Sequence, residues 1–272
     1  MKTVELKTWE EFESEVSRLE RERSDRISEK KVLVSEYLYR GQPDSNWKLA
    51  TTLERFAGEL LSLRQYYRMA LLAQPQVEAF TATVWHELPS LPDYLKHIDS
   101  ERFFQPITPP VYAYFVYLRH HAFPSPLLDW TRSPYVAAYF AFRDVCSNAQ
   151  NAAIYVYCEY LGRGKDSSAM EPKINVLGPY VRGHRRHFQQ QSQYTICTER
   201  RVDGHWYASH EEPFAKNRED QDALWKFTIP TSERRKALER LERYNINAFS
   251  LFGSEESLME TLALREILLR HP

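Results

Sequence analysis

The stretch "LLDWTRSPYVAAYFA", residues 127–141, decides the fold. "LLDWT" is a short apolar run with the length of a buried strand. Ser133-Pro134 is a strong helix start, because a serine oxygen caps the first turn and proline fits the first helical position. The helix that follows is apolar on nearly every side, so it has to be buried. Asp129 sits inside this apolar run. It either satisfies the backbone donors of the turn or pairs with an arginine, Arg40 or Arg132.

Downstream, "NAAIYVYCEY" (151–160) reads as a strand covered on both faces, since tyrosines and aliphatic residues alternate without a polar side. Upstream, "TPPVYAYFVYLRHH" (108–121) is a helix with Thr108 as cap and Pro109 in its first turn, ending before Pro124. His120 and His121 at its end are candidate general bases, although imidazolium at a helix C-terminus is as often structural. Further upstream, "VLVSEYLYRG" (32–41) reads as a strand ending at Gly41, with Arg40 at its tip. Guanidinium offers a planar fork of donors that fits phosphate, and glycine lets backbone approach a ligand; an arginine at a strand end is otherwise a surface ion-pair residue.

Outside this centre, Thr8 and Glu11 form a capping box for an amphipathic helix over 9–23. Residues 51–85 read as helical hairpins, within an expected helical insertion at 51–100. "SQYTICT" (192–198) and "ALWKFTIP" (223–230) read as strands, the hydrophilic stretch up to residue 220 as loop, and "SERRKALERLERY" as a helix capped by Ser232. "NINAFSLF" (245–252) reads as a last strand. A C-terminal helix follows, with Leu258, Leu262 and Ile267 on one face. Helices and strands do not alternate strictly, which implies a single α+β domain over 1–272, built on a mixed or split central sheet with flanking helices.

The 272 residues carry a net charge of -1, so no global field draws nucleic acid or membrane, and any charged partner has to meet a local patch. One such patch is Arg182, His184, Arg185, Arg186 and His187, which suits a solvated face, a phosphate site or a small nucleic-acid contact. The three cysteines are dispersed, and no His/Cys/Asp cluster has metal-ligand spacing. With only 8 glycines there is no glycine-rich dinucleotide turn. No apolar stretch has the length of a membrane span, which with the unpaired cysteines implies a soluble protein of the reducing cytoplasm.

Four segments, "YRGQ" (39–42), "LRHHAFPSPLLDWTRSPYVAAYFA" (118–141), "RRHFQQQSQYT" (185–195) and "NINAFSLFGSEESL" (245–258), resemble in order and spacing the signature blocks of the FRG domain family, named for a Phe/Tyr-Arg-Gly motif. A weaker resemblance is to Arg-Ser-Glu type ADP-ribosyltransferases, whose arginine grips the phosphates of NAD. Their Ser/Thr segment supports the nicotinamide side, and a glutamate orients the ribose. That resemblance implies an ADP-ribosyltransferase core, with NAD as substrate and a protein or nucleic acid as acceptor, or hydrolysis of NAD. A toxin or phage-defence effector would suit such a domain. It assigns Arg40 to the phosphates, with Gly41, Asp129, Thr131 and Ser133 beside it and Trp130 and Tyr139 as stacking faces. Ser133 is equally explained as a helix cap alone. Where the glutamate is expected stand Gln189, Gln190 and Gln191, so the third role falls to Gln190 and Gln191 or to Glu256, which also fits a helix N-terminus. The alternative is a non-catalytic module that holds a nucleotide or a nucleic-acid end in the same pocket.

Overall fold

The computed structural model describes residues 1–100, 107–165, 170–178, 186–215 and 222–270. The chain starts with strand β1 (Lys2–Glu5) and helix α1 (Trp9–Ser28), followed by β2 (Tyr37–Gln42). Three helices, α2 (Thr52–Ala57), α3 (Leu63–Thr81) and α4 (Leu91–Ile98), lead to α5 (Pro109–His120), β3 (Leu128–Thr131) and α6 (Pro134–Phe142). Then come β4 (Asn151–Cys158), β5 (Lys173–Leu177), the single turn α7 (Arg186–Gln189), β6 (Ser192–Arg201) and β7 (Gly204–Tyr207). The chain continues with β8 (Ala223–Pro230), α8 (Arg234–Arg243), α9 (Ala248–Phe252) and α10 (Glu255–Ala263), which runs on into a π-helical turn, Leu264–Leu269. No described helix is long and apolar enough to cross a membrane.

The strands form one mixed sheet of eight, in the order β1-β8-β4-β2-β3-β6-β5, with β7 paired to β6. Among the described strands only β1 and β8 run parallel. The sheet is mixed, as the sequence implies, and it is nearly split at its centre. β2 pairs with β4 through six residues but with β3 only through Tyr39 and Thr131. Beyond that pair the two strands part, and the gap is where the candidate site forms.

Helix α6 covers this centre. Val136, Ala137, Ala138, Ala141 and Phe142 are all buried, and they share a core with Tyr37 and Tyr39 of β2, Ile154 and Val156 of β4 and Trp9, Phe12, Val16 and Leu19 of α1. A second core joins α3, α4 and α5 to Tyr194 and Ile196 of β6, so the expected helical insertion packs on the same sheet as the motif strands. A third lies on the far side of β2 and β3, around Leu38, Trp130, Tyr155 and Tyr157.

Several local expectations need correction. "NINAFSLF" is not a strand: Asn247 and Ser250 form a reciprocal capping box, and Gly253 in the left-handed region ends helix α9 after Phe252. The apolar residues of this stretch mimic strand alternation, but the caps at both ends select one short helix. The helix after Ser232 begins at Arg234 behind a 3-10 turn over Thr231–Glu233, and no side chain caps it. On α10 the buried residues are Ser257, which bonds the Ser254 cap, and Thr261, which accepts from the Phe249 nitrogen of α9, while Leu262 and, in the following turn, Ile267 are exposed. The hydrophilic stretch before residue 220 contains β7, which pairs back on β6 across a tight turn at "VDG". Aspartate-glycine is a hairpin signal, and here it overrides the polar composition. Strands β1 and β5 are short edge strands with too few apolar residues to stand out.

Gly41 is fixed by packing. A Cβ built there would lie 1.9 Å from the Ala137 carbonyl oxygen and 2.6 Å from the Ala141 nitrogen, both backbone atoms of α6. The glycine of the motif therefore lets a helix, not only a ligand, approach the strand. Replacing Gly41 with alanine pushes α6 off β2 and is expected to cost about 3 kcal/mol or more. Urea denaturation of Gly41→Ala beside the wild type measures that loss.

Candidate functional site

β2 and β3 part where Arg40 leaves its strand, and a cavity of about 330 Å³ opens there. Its wall is drawn from five elements: Tyr39, Arg40 and Gly41 of β2, Arg119 and His120 of α5, Asp129, Trp130 and Thr131 of β3, Phe140 of α6, and Ser192 and Tyr194 of β6. Arg186, Gln190 and Phe252, from α7, the residue after it and α9, close the remaining side.

Arg40 crosses the gap. Its Nη1 donates to the Asp129 carbonyl oxygen at 2.8 Å and lies 3.6 Å from the Asp129 carboxylate. Arg119 donates Nε and Nη2 to the same carboxylate oxygen, at 3.1 and 2.5 Å. One carboxylate thus bridges two guanidinium groups held by different elements. Without it the two cations would repel one another at short range in a partly dry site. Burial works against the Asp129 charge, but Arg119 and then Arg40 outweigh it and hold the carboxyl below its usual range. Burial, and after it the charge of Arg119, lower the Arg40 pKa. An arginine nevertheless stays protonated at neutral pH. The buried Arg40 Nε has no hydrogen-bond partner among the described residues.

Among the described residues, the wall therefore carries three guanidinium groups, Arg40, Arg119 and Arg186, against the single carboxylate of Asp129. Such an excess in a concave, partly desolvated site favours an anion with several oxygens, which phosphate supplies. The other end is aromatic. Phe140 and Phe252 meet edge to face at 6.0 Å, and the Arg186 guanidinium lies 5.5 Å from the Phe252 ring centre. On the α5 side, His120 Nε2 is 2.9 Å from the Tyr194 hydroxyl.

The structure brings Arg40, Gly41, His120, Asp129, Trp130, Thr131 and Gln190 together on this wall, and it places the other candidates elsewhere. Thr131 donates to the Gln190 carbonyl oxygen at 2.7 Å and accepts from the Ser133 nitrogen at 3.1 Å, so its hydroxyl is engaged. Ser133 caps α6 through Val136 and does not line the cavity. Trp130 is buried against Tyr157 and donates to Thr195, which in turn meets His210 at 2.9 Å. Burial, with help from the Arg40 charge, pushes the His210 pKa down to about 3, so this imidazole is neutral. Tyr139 points to the other side of α6, where its hydroxyl donates to Glu260; its neighbour Phe140 takes the place at the cavity. Gln191 adopts a left-handed backbone at φ 48° and borders a separate, polar hollow with Arg132 and Glu36. Glu256 is exposed on the first turn of α10, where Ser254 holds its carboxyl below the usual range, and it is not on the wall. The Gln190 amide donates to the Leu251 carbonyl oxygen at 3.2 Å, tying α9 to the cavity. Of the basic cluster, Arg182, His184 and Arg185 lie outside the described residues, while Arg186 is on the wall and His187 is buried behind it.

Residues 35–150 match the family model of the FRG domain. That segment, less than half of the chain, resembles an FRG domain. Its matched segment supplies β2, α5, β3 and α6, and hence Arg40, Arg119, Asp129 and Phe140. The facing wall of the cavity, from Arg186 to Phe252, comes from chain beyond the match. No curated protein and no solved structure gives a significant match to the chain.

Arg119 and Phe252 went unnoticed in the sequence. Arg119 stands beside the more conspicuous histidine pair, and Phe252 falls in the segment taken for a strand.

The depressed Asp129 pKa has a definite sign in stability. The carboxylate stabilises the fold fully above its unfolded pKa, near 3.9, and the contribution is lost as pH falls through the lower, folded value. Acid unfolding of Asp129→Asn is therefore expected to depend less steeply on pH below about 4 than that of the wild type. Melting temperature measured between neutral and acid pH tests this.

Proposed function

We propose that the cavity binds NAD and breaks its nicotinamide–ribose bond, passing ADP-ribose to a macromolecular target or to water. The observation that carries this is the excess of guanidinium over carboxylate on a concave wall with an aromatic end. A pyrophosphate presents charged oxygens to Arg40 and Arg119, and the Arg40 Nε offers a donor with no partner of its own. Phe140 and Phe252 offer rings to a planar base. The volume, at the lower end of those typical of ligand pockets, suits one nucleotide half inside and the rest towards solvent. The resemblance to Arg-Ser-Glu transferases points to the same ligand from the sequence side.

A second proposal, a nucleotide-binding module without catalysis, draws on a different observation. Among the described residues the one carboxylate on the wall is Asp129, and it is committed to two arginines, while Gln190 stands where those transferases carry glutamate and Glu256 is off the wall. Glutamine can hydrogen-bond a ribose but brings no charge to a cationic transition state.

Isothermal titration with NAD, followed by a nicotinamide-release assay, separates the two. Arg40→Ala is expected to weaken NAD binding roughly 10- to 100-fold, in line with the loss of one or two charge-assisted hydrogen bonds. Wild type that binds NAD and releases nicotinamide supports catalysis. Binding without release supports the module, and no binding sinks both uses of NAD.

A further inference from the structure

Of the contacts between the elements that meet at the cavity, the one that neither phosphate nor base requires is between α5 and β6. His120 Nε2 and the Tyr194 hydroxyl stand 2.9 Å apart on the wall. We propose that they form a proton relay for a neutral hydroxyl acceptor, an alcohol or water, as it attacks the ribose of bound NAD; this rests on NAD being cleaved here.

The Tyr194 ring is set rigidly. It is 1% exposed, stacked on His187 at 18° and 5.9 Å, and met edge-on by Tyr112 at 6.1 Å. Its hydroxyl is held between His120 at the end of α5 and Ser192 of its own strand. Burial first, and then the charge of Asp129, push the phenol pKa up, so the phenol keeps its proton at neutral pH; in the His120 tautomer that leaves Nε2 unprotonated, the phenol donates to it. Two residues before it on β6, and on the same face, Ser192 also lines the cavity. The acceptor oxygen forms its bond to the ribose carbon as the glycosidic bond to nicotinamide breaks, and that electron pair leaves with the nicotinamide ring, which becomes neutral. The acceptor proton passes to the Tyr194 oxygen while the Tyr194 proton passes to His120. The imidazolium then releases it to solvent, and atoms and charge balance.

The wall selects the acceptor class. A carboxylate nucleophile carries no proton and needs no relay, and a guanidinium acceptor is repelled by Arg40, Arg119 and Arg186. A neutral hydroxyl is the class that both tolerates the field and needs a base.

Nicotinamide release by the full chain, assayed with NAD in H2O and D2O for the wild type, Tyr194→Phe and His120→Ala, tests the relay. Tyr194→Phe keeps the ring and His120→Ala leaves an imidazole-sized space, so both are expected to bind NAD within about twofold of the wild type. Turnover should fall roughly 100-fold in each, within the range that general acid–base groups contribute. Added imidazole should restore part of the His120→Ala rate, and the solvent isotope effect of the wild type should vanish in Tyr194→Phe. Wild-type turnover in either variant overturns the relay and leaves NAD cleavage standing. Wild type that binds no NAD, or releases no nicotinamide, overturns NAD cleavage and the relay with it.

Discussion

The Asp129 carboxylate, held between Arg40 and Arg119, is the contact on which the rest of the site depends. It joins β2, β3 and α5 where the sheet has almost no backbone pairing to do so, since Tyr39 and Thr131 are the one register pair between the two strands. A buried ion pair is weak evidence for stability as such, because desolvation offsets much of the attraction. What two guanidinium groups around one carboxylate do supply is order. Two cations that would otherwise separate are kept on the same wall, aimed at a shared volume.

The apolar contacts around them explain why that arrangement can persist. Gly41 allows α6 to sit directly on β2, which sets Phe140 opposite the arginines. Gln190 ties α9 down through Leu251, which carries Phe252 to the same opening. Glu260 anchors α10 to α6 through Tyr139 and Arg143, and Arg143 lies 4.8 Å from the face of Phe252. Both ends of the cavity are thus fixed by groups that do not themselves face it.

Much of this was legible in the sequence where the signal is local. β3 and α6 follow from an apolar run and a Ser-Pro start, and β4 from a continuous alternation of tyrosine and aliphatic residues. Arg40, Asp129 and His120 stood out as candidates because each stands at an element end or inside an apolar run, and Gln190 through the resemblance to Arg-Ser-Glu transferases. α9 was not, since its capping box competes with a strand-like pattern and only the caps decide. Edge strands β1 and β5 bury too little to leave a pattern. The role of Arg119 was invisible for another reason: it depends on α5 returning to β3, a non-local pairing that spacing alone does not encode. Glu256 shows the converse. Its position in a motif segment suggested chemistry, whereas its place on the first turn of α10 is that of a residue complementing a helix N-terminus.

The central claim is that Arg40 and Arg119 together grip the phosphates of one nucleotide inside this cavity. A crystal structure of the chain with ADP-ribose tests it most directly. Pyrophosphate oxygens are expected at about 2.7–2.9 Å from guanidinium nitrogens of both Arg40 and Arg119, with a ring against Phe140 and Phe252. ADP-ribose bound elsewhere, or an arginine pair still closed on Asp129 with the nucleotide outside the cavity, would contradict it.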